Sequence, residues 1–286
     1  PDQLNTEINR VILSRMLTET TTYTSGCKKL LSLLLLIIAS PAFSHSHSHP
    51  HTQEQAQENT HSEAPISLYR ASYTAQFSGL NINAVQKLEE IKPGIYRESL
   101  AAKNFIGQVN EQSTFRVSAD QQLYPYQYSY DRSVFGRDRS EVHSYDWENS
   151  KVEYKKDGKT NSELALEVGY LDMITHRLQL RRDLNSGKQI FSYPVISRGK
   201  LKQYDYKVVS EQILQTAIGP LNTVKVERVI KDGDKTVNVW LATDWDYLIV
   251  KLEQSKGKDG HHLELRSATI NNVTITPLAK TDEKQL

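Results

Sequence analysis

The feature that most constrains the fold is a two-residue alternation of apolar and polar side chains, which recurs along most of the chain. The segment LYRASYTAQFSG shows it first, with apolar side chains at Tyr69, Ala71, Tyr73, Ala75 and Phe77. Because successive side chains of a β-strand point to opposite faces of the sheet, this pattern predicts a strand with one buried face. The segments LNTVKVERVI, TVNVWLA and YLIVKLEQ repeat the pattern.

Short turn-forming segments separate these runs, including KPG, KKDGK, IGP, KDGDK and KGKDG. Glycine and aspartate at such positions favour tight hairpin connections. Strands at this spacing, without long helices between them, indicate an antiparallel meander rather than βαβ units. We therefore predict one β domain over residues 66–275, followed by a flexible tail over residues 276–286.

One segment, GYLDMITHRLQLRRDLNSGK, has helical rather than strand spacing, and we predict a helix over about residues 170–184. Its apolar arc consists of Leu171, Met173, Ile174, Leu178, Leu180 and Leu184. Its polar side consists of Asp172, Thr175, His176, Gln179, Arg182 and Asp183. Because so wide an apolar arc needs a concave partner, we predict a mainly β fold: a curved, half-barrel-like antiparallel meander wrapped around one central α-helix.

The N-terminal segment CKKLLSLLLLIIASPAFS has the features of a secretory signal peptide. Lys28 and Lys29 precede the apolar run Leu30–Ala39, and Ala42-Phe43-Ser44 is a small-x-small cleavage site. The run of about ten residues is too short to span a bilayer, and we expect no transmembrane span in the mature chain. We predict that residues 1–44 are upstream sequence plus signal peptide and that the protein is exported, with the periplasm as its location.

The single cysteine and the start of the chain add two expectations. Cys27 precedes the apolar run, whereas a lipoprotein cysteine would follow it, so we expect no lipid anchor at Cys27. Residues 1–15 precede Met16, and we leave them out of the fold prediction.

A histidine-rich segment, SHSHSHPH, follows the cleavage site, with His45, His47, His49 and His51 at alternate positions. Residues 45–65 contain almost no apolar side chain, so we predict a disordered arm. Neutral imidazoles bind Zn, Cu and Ni, which makes these four histidines candidate metal ligands. The alternative is a solvated tail whose histidines have no specific role.

The position of the cleavage site sharpens the metal hypothesis. Cleavage after Ser44 or after Ala42 would place a histidine third from a free amine. That amine, two amide nitrogens and the imidazole form a square-planar set suited to Cu(II) or Ni(II). We expect no cofactor to be required by the folded domain.

Four tyrosines, Tyr124, Tyr126, Tyr128 and Tyr130, alternate in LYPYQYSYDR and are predicted to share one face of a single strand. Pro125 favours an edge or strand-start position. A row of tyrosines can line an amphipathic ligand groove or stack on sugar rings. The alternative is cross-strand aromatic packing at the surface of the sheet.

Arg177 and Arg181 are four residues apart and point into the apolar arc of the predicted helix. A buried guanidinium needs an anionic partner, because an unpaired buried charge is very costly. The pair can hold the phosphate or carboxylate headgroup of a ligand. Alternatively, it pairs with sheet carboxylates such as Glu227 or Glu253, or extends to the rim.

Signals for catalysis are weak. The sequence has no H-E-x-x-H, G-x-S-x-G or S-x-x-K motif and no phosphate-binding glycine loop. His143, His261 and His262 are scattered, and Asp172 with His176 fits a surface pair one helical turn apart. We therefore predict that the protein is not an enzyme. Lys and Arg number 35 against 34 Asp and Glu, without a basic stripe, so we expect no nucleic-acid partner.

The helix also carries a family resemblance. DMITHRLQLR is similar to the D-x-x-S/T-x-x-x-x-L-R helix of an uncharacterised bacterial exported family, domain of unknown function 3108. YDYKVVSEQILQTAIGPLNTVKVERV and VNVWLATDWDYLIVKLEQ resemble its glycine-containing turn and its W-L strand. The resemblance covers roughly residues 68–273. The chain departs from the pattern at His176 and Arg177, where small or apolar residues are usual, and at Ile249, where proline is common.

The resemblance implies location and fold more than activity. It points to a curved antiparallel sheet around a helix, similar to the lipoprotein-carrier half-barrels of the bacterial envelope. Our leading hypothesis is a non-enzymatic protein that binds a hydrophobic or amphipathic, lipid-like envelope component in its concave face. The alternatives are a metal-binding or metal-buffering protein acting through the histidine-rich arm, and a purely structural interaction domain.

Overall fold

The computed structural model describes residues 66–77, 80–230, 235–256 and 259–279. The predictions for the signal peptide, the histidine-rich arm and most of the C-terminal tail therefore lie outside the described residues. No helix within these ranges is long and apolar enough to cross a membrane.

Fifteen strands and one helix make up the described part of the chain. The first eight strands are β1 (Tyr69–Phe77), β2 (Leu80–Lys92), β3 (Ile95–Asn104), β4 (Gly107–Val117), β5 (Leu123–Val134), β6 (Arg137–Asp146), β7 (Lys151–Lys156) and β8 (Lys159–Ala165). After helix α1 (Thr175–Leu184) come β9 (Ile190–Ser197), β10 (Lys200–Thr216), β11 (Gly219–Val229), β12 (Lys235–Ala242), β13 (Leu248–Lys256), β14 (Asp259–Ile270) and β15 (Val273–Thr274).

All fifteen strands belong to one antiparallel sheet, in the order β8-β7-β6-β5-β4-β3-β2-β1-β14-β13-β12-β11-β10-β9, with β15 beside β14. Strand β1 lies in the middle of the sheet, and β1 to β8 form one half as a meander. The second meander returns from β9 to β14, where β14 pairs with β1. The predicted mainly β, antiparallel meander is confirmed, and its hydrogen-bonded ladder is not closed.

The two edge strands have partners of different kinds. The backbone N–H of Leu171 donates to the Pro194 carbonyl of β9 (2.9 Å), and the Ile196 N–H donates to the Leu171 carbonyl (2.8 Å). This short parallel bridge extends the sheet beyond β9. It also fixes the chain directly before the helix.

Near the other edge, β6 to β8 contact the tight turn between β9 and β10. The Gly199 backbone N–H donates to Nε2 of His143 (3.1 Å), and the Ser162 hydroxyl donates to the Gly199 carbonyl (3.3 Å). Gly199 has a φ of +66°, and a Cβ there would lie 2.4 Å from Ser162 Oγ and 2.5 Å from Tyr154 Cδ1. Glycine is therefore required by both backbone conformation and space.

The helix begins five residues later than predicted, because the chain before it is held by β9 and by a capped turn. Oδ1 of Asp172 accepts the backbone N–H groups of Ile174 (2.8 Å) and Thr175 (2.7 Å). In return, Oγ1 of Thr175 accepts the Asp172 N–H (2.9 Å). This reciprocal pattern satisfies donors that a helix start otherwise leaves free.

The inner face of the sheet and the apolar arc of the helix share one core, as the alternation predicts. The bulkiest fully buried apolar side chains are Phe115, Leu123, Tyr128, Tyr130, Met173, Ile174, Ile196, Tyr204, Leu221, Leu241 and Leu248. The polar side assigned to the helix is partly wrong, since Asp172, Thr175 and His176 are also fully buried. Their hydrogen bonds compensate for the loss of water.

Candidate functional site

Two of the three arginines of the helix, Arg177 and Arg181, have partners on β4 and in the turn between β12 and β13, respectively. Nη2 of Arg177 donates to Oε2 of Glu111 on β4 (3.1 Å). Nε and Nη2 of Arg181 donate to the Asp246 carbonyl oxygen (3.2 and 3.0 Å), and its Cζ lies 4.6 Å from the ring centroid of Tyr69. The alternative in which these cations find protein partners is therefore met, with Arg181 buried and the Arg177 side chain 19% exposed.

The partners predicted for the arginines are wrong. Glu227 pairs with Lys207 (3.2 Å) and Glu253 pairs with Lys251 (2.7 Å). Both glutamates belong to the outward-facing set of their strands, whereas the arginines point to the inner face. A strand's period of two separates these faces completely.

Three buried carboxyl groups lie close to the helix. Glu98 on β3 accepts a hydrogen bond from Gln86, Glu111 accepts one from the Tyr128 hydroxyl (2.8 Å), and Asp172 accepts one from the Ser113 hydroxyl (2.5 Å). Burial raises the pKa of all three carboxyl groups. The positive charge of Arg177 opposes that rise at Glu98 and Glu111.

His176 is a residue of α1. Its side chain is fully buried, so it does not form the predicted surface pair with Asp172. Its Nδ1 lies 2.9 Å from the Asp172 backbone carbonyl, and its Nε2 lies 3.1 Å from the Tyr206 hydroxyl. A carbonyl only accepts, so Nδ1 carries the proton and Nε2 accepts from Tyr206. Burial lowers the pKa of His176 well below its usual value, which keeps the imidazole neutral.

An apolar cleft opens beside Arg177, between β1–β3 on one side and β13–β14 on the other. Its volume is about 70 Å³. The apolar lining consists of Tyr73, Ala75, Ile82, Ala84, Leu100, Ala102, Ile249, Leu252 and Leu263. Gln86 and Arg177 supply the polar groups. We call this space the Arg177 cleft.

The four tyrosines of β5 do not share one face, contrary to the prediction. Phe115 pairs with Pro125 while Thr114 pairs with Gln127, which leaves Tyr126 as the extra residue of a β-bulge. A bulge shifts the alternation by one residue. As a result Tyr128 and Tyr130 are buried in the core, whereas Tyr124 and Tyr126 are only partly buried.

Tyr124 instead joins a small aromatic cluster at the surface of the sheet. Its ring centroid lies 5.0 Å from that of Trp147, and Cζ of Arg116 lies 3.9 Å from the Tyr124 centroid. The Trp147 indole N–H donates to the Pro125 carbonyl (2.7 Å). This arrangement favours aromatic packing over a continuous tyrosine groove.

Sequence reasoning missed Glu98 and Glu111, although both carry a readable signal. Glu98 alternates in phase with Leu100 and Ala102, and Glu111 alternates in phase with Phe115. A charged residue on the apolar phase of a strand indicates a buried charge that needs a partner. The acids on the strands and the arginines on the helix therefore point to a charge pair, which the structure forms between Glu111 and Arg177, whereas Arg181 binds Asp246 instead.

The metal hypothesis involves residues the structure does not describe. His45, His47, His49 and His51 lie outside the described residues. Within the described ranges, no three His, Cys, Asp or Glu side chains are grouped so that they could hold a metal ion.

Comparisons with known proteins agree with the fold and add no activity. A search of curated proteins found no match. The crystal structure of a "beta-barrel-like protein of domain of unknown function DUF1849" from Brucella abortus is similar, with a TM-score of 0.50, 12% identity, and coverage of 72% of this chain and 98% of that one. The model of the family "Protein of unknown function (DUF3108)" matches residues 69–263. The chain therefore belongs to the DUF3108 family.

Proposed function

We propose that this protein is an exported, non-enzymatic binding protein that holds a hydrophobic or amphipathic, lipid-like ligand in the Arg177 cleft. The observation that carries the proposal is an apolar space, lined by strands from both halves of the sheet, that ends at a guanidinium. An apolar wall with a few polar groups at one end is the usual form of a small-molecule site. In this proposal the sheet curves around α1, which supports the cleft from inside.

The volume of the cleft limits what it can take. At about 70 Å³ it is far smaller than the roughly 300–1,000 Å³ of typical small-molecule sites. The space suits the end of one slender hydrocarbon chain. Binding of a longer chain requires the side chains of Ile249, Leu252 and Leu263 to move apart.

Arg177 supplies the polar end of the proposed site. Its Nη2 is held by Glu111, and its Nε has no hydrogen-bond partner among the described residues. That N–H can donate to the oxygen of a polar headgroup. Gln86, which already donates to Glu98, adds an amide beside it.

A purely structural or interaction domain is the second candidate, and the filled interior favours it. Buried tyrosines and the Glu111–Arg177 pair occupy the space between the helix and β4 and β5. In that case the Arg177 cleft is a packing defect and not a binding site. The two candidates differ in whether the cleft takes up an apolar probe.

The test is a titration with a fluorescent fatty acid, using a variant that fills the cleft. Ala102 lines the cleft, while Ala101 is exposed on the other face of the same strand. We expect Ala102→Leu to weaken probe binding by at least about tenfold, because the added methyl groups occupy the space the chain needs. Ala101→Leu should bind as the wild type does. Equal binding by both variants, or none by the wild type, would contradict the proposal.

The histidine-rich arm carries a separate proposal that rests on its sequence alone. We expect the arm to bind Cu(II) or Ni(II) through His45, His47, His49 or His51, with Zn as a further candidate. Metal analysis of the native protein, with and without residues 45–61, tests it. Equal metal content in both forms would contradict a role for the arm.

A further inference from the structure

A second group of charged side chains lies on the inner face of the sheet, around the turn between β9 and β10. Glu141 on β6, which is 1% exposed, pairs with Arg139 of the same strand and lies 3.9 Å from Nε of Arg198 in the turn. One buried carboxylate therefore already has two guanidinium groups beside it.

Arg228 on β11 brings a third guanidinium to this region. It is 8% exposed, and its Cζ lies 3.9 Å from the ring centroid of Tyr204 on β10. In the part of the chain that the structure describes, it forms no ion pair with a carboxylate within 4.0 Å, and its Nε has no hydrogen-bond partner. Tyr204 forms a hydrogen bond with another nitrogen of this guanidinium, so Arg228 is compensated by a neutral side chain and an aromatic ring rather than by a paired carboxylate.

Lys202 completes the group, which we call the basic cluster: Arg139, Arg198, Lys202 and Arg228. Lys202 lies two residues before Tyr204 on β10, so both side chains are on the same face of the strand. Burial, together with the positive charges of Arg198 and Arg228, lowers the pKa of its ammonium to about 8. The basic cluster therefore contains four cations, and two of them, Arg139 and Arg198, share the single buried carboxylate of Glu141.

The other neighbouring acids act on the cluster only from the outer face of their strands. The charge of Asp205 favours the charged form of Arg228, but Asp205 belongs to the opposite face of β10 and accepts a hydrogen bond from Ser192 (2.5 Å). Glu227 also faces outward and pairs with Lys207. The planar guanidinium groups match the geometry of phosphate and carboxylate oxygens, and the ammonium adds a point charge.

We propose that Lys202, Arg228 and Arg198 form a binding site for an oxyanion, a phosphate or carboxylate group, at this end of the interior. The site is distinct from the Arg177 cleft, which β1–β3 and β13–β14 line. The basic cluster instead belongs to β6, the β9–β10 turn, β10 and β11. An oxyanion there would give a directly paired counter-charge to Arg228 and Lys202, since Glu141 is already paired with Arg139 and Arg198.

The test is a titration of the full chain with inorganic phosphate at constant ionic strength, followed by calorimetry and by NMR of the Lys202 side chain. We expect saturable binding and a rise in the pKa of Lys202 when phosphate is bound, because a nearby anion favours the charged ammonium. Lys202→Gln and Arg228→Gln should each weaken binding at least about tenfold. Lys207→Gln, which removes a charge from the outer face of β10, should leave it unchanged.

Lys202 is only half-buried, so Lys202→Gln is expected to fold even where Arg228→Gln does not. A wild type that shows no saturable phosphate binding would overturn the proposal. So would equal weakening in Lys202→Gln and Lys207→Gln, which would indicate a general charge effect. The Ala102→Leu variant should bind phosphate as the wild type does. A protein that binds phosphate but no fatty-acid probe would therefore contradict the cleft proposal and leave the oxyanion site supported.

The source of the oxyanion is tested with vesicles. Binding to phosphatidylglycerol vesicles but not to phosphatidylcholine vesicles, lost in Lys202→Gln, identifies a lipid headgroup. Phosphate binding without vesicle binding identifies a free anion. Both results support the site, whereas vesicle binding that is unchanged in Lys202→Gln counts against it.

Discussion

Individual residues connect the two ends of the open sheet, and Gly199 is the one whose position tolerates a side chain least. Its φ of +66° and the short distances from a built Cβ to Ser162 and Tyr154 leave no room for a side chain. Its N–H also bonds to His143. The alternating pattern of the flanking strands predicts a turn here, but it does not predict that residues 37 and 56 positions earlier contact that turn.

We expect Gly199→Ala to lower the free energy of unfolding by about 3 kcal/mol, since it adds a steric clash to backbone strain. Gly158→Ala is the matched control, because Gly158 has a φ of +78° but nothing within 4 Å of its Cβ position. That variant should lose only about 1 kcal/mol, the cost of the left-handed conformation. Urea unfolding measures both. Equal losses would mean that the contact with β7 and β8 is absent.

His143 makes stability depend on pH. Burial lowers the pKa of its imidazole to about 4, below the ordinary value of 6.5. Because the unfolded chain takes up the proton first, this contribution is complete above pH 6.5 and is lost as the pH falls towards 4. The wild type should therefore lose up to about 3 kcal/mol relative to His143→Gln, in which the amide oxygen still accepts the Gly199 N–H.

The measurement is urea unfolding of both proteins between pH 7.5 and about 4. A difference between them that does not change with pH would contradict the buried neutral histidine. The carboxyl groups of Glu98, Glu111 and Asp172 have raised pKa values and favour the folded state as the pH falls. These three carboxyl groups are present in both the wild type and His143→Gln, so their effect on stability cancels in the difference between the two proteins.

At the scale of elements, the sequence predicts where strands and the helix occur better than where they start or which face they bury. The helical arc of Leu178, Leu180 and Leu184 is buried as predicted. The helix does not start where the sequence predicts, because Leu171 pairs with β9 and Asp172 caps the following turn. The β5 bulge at Tyr126 is also invisible in the sequence, since an unbroken alternation of tyrosines continues through it.

The capped turn is tested by Asp172→Ala and Asp172→Asn. Alanine removes the acceptor for two backbone N–H groups and for Ser113, so we expect a loss of about 2–3 kcal/mol in unfolding free energy. Asparagine keeps an oxygen in place and should lose about 1 kcal/mol or less. Chemical denaturation checks both. An asparagine variant as unstable as the alanine variant would show that the negative charge matters more than the cap.

At the scale of the whole molecule, the neighbouring strands of each meander follow from the short turns, but the pairing of β1 with β14 does not. These strands are almost 200 residues apart, and a period of two carries no information about a distant partner. That pairing brings β1–β3 beside β13–β14 and so creates the Arg177 cleft. The candidate site therefore depends on a sheet contact that local patterns cannot predict.

The most direct measurement of the central claim is native mass spectrometry of the full chain, purified without denaturant. We expect a co-purified apolar or amphipathic molecule bound to the wild type and to Ala101→Leu, and its absence from Ala102→Leu. A wild type that appears only at the mass of its polypeptide, and that also binds no fatty-acid probe, would contradict the claim that the Arg177 cleft is a binding site.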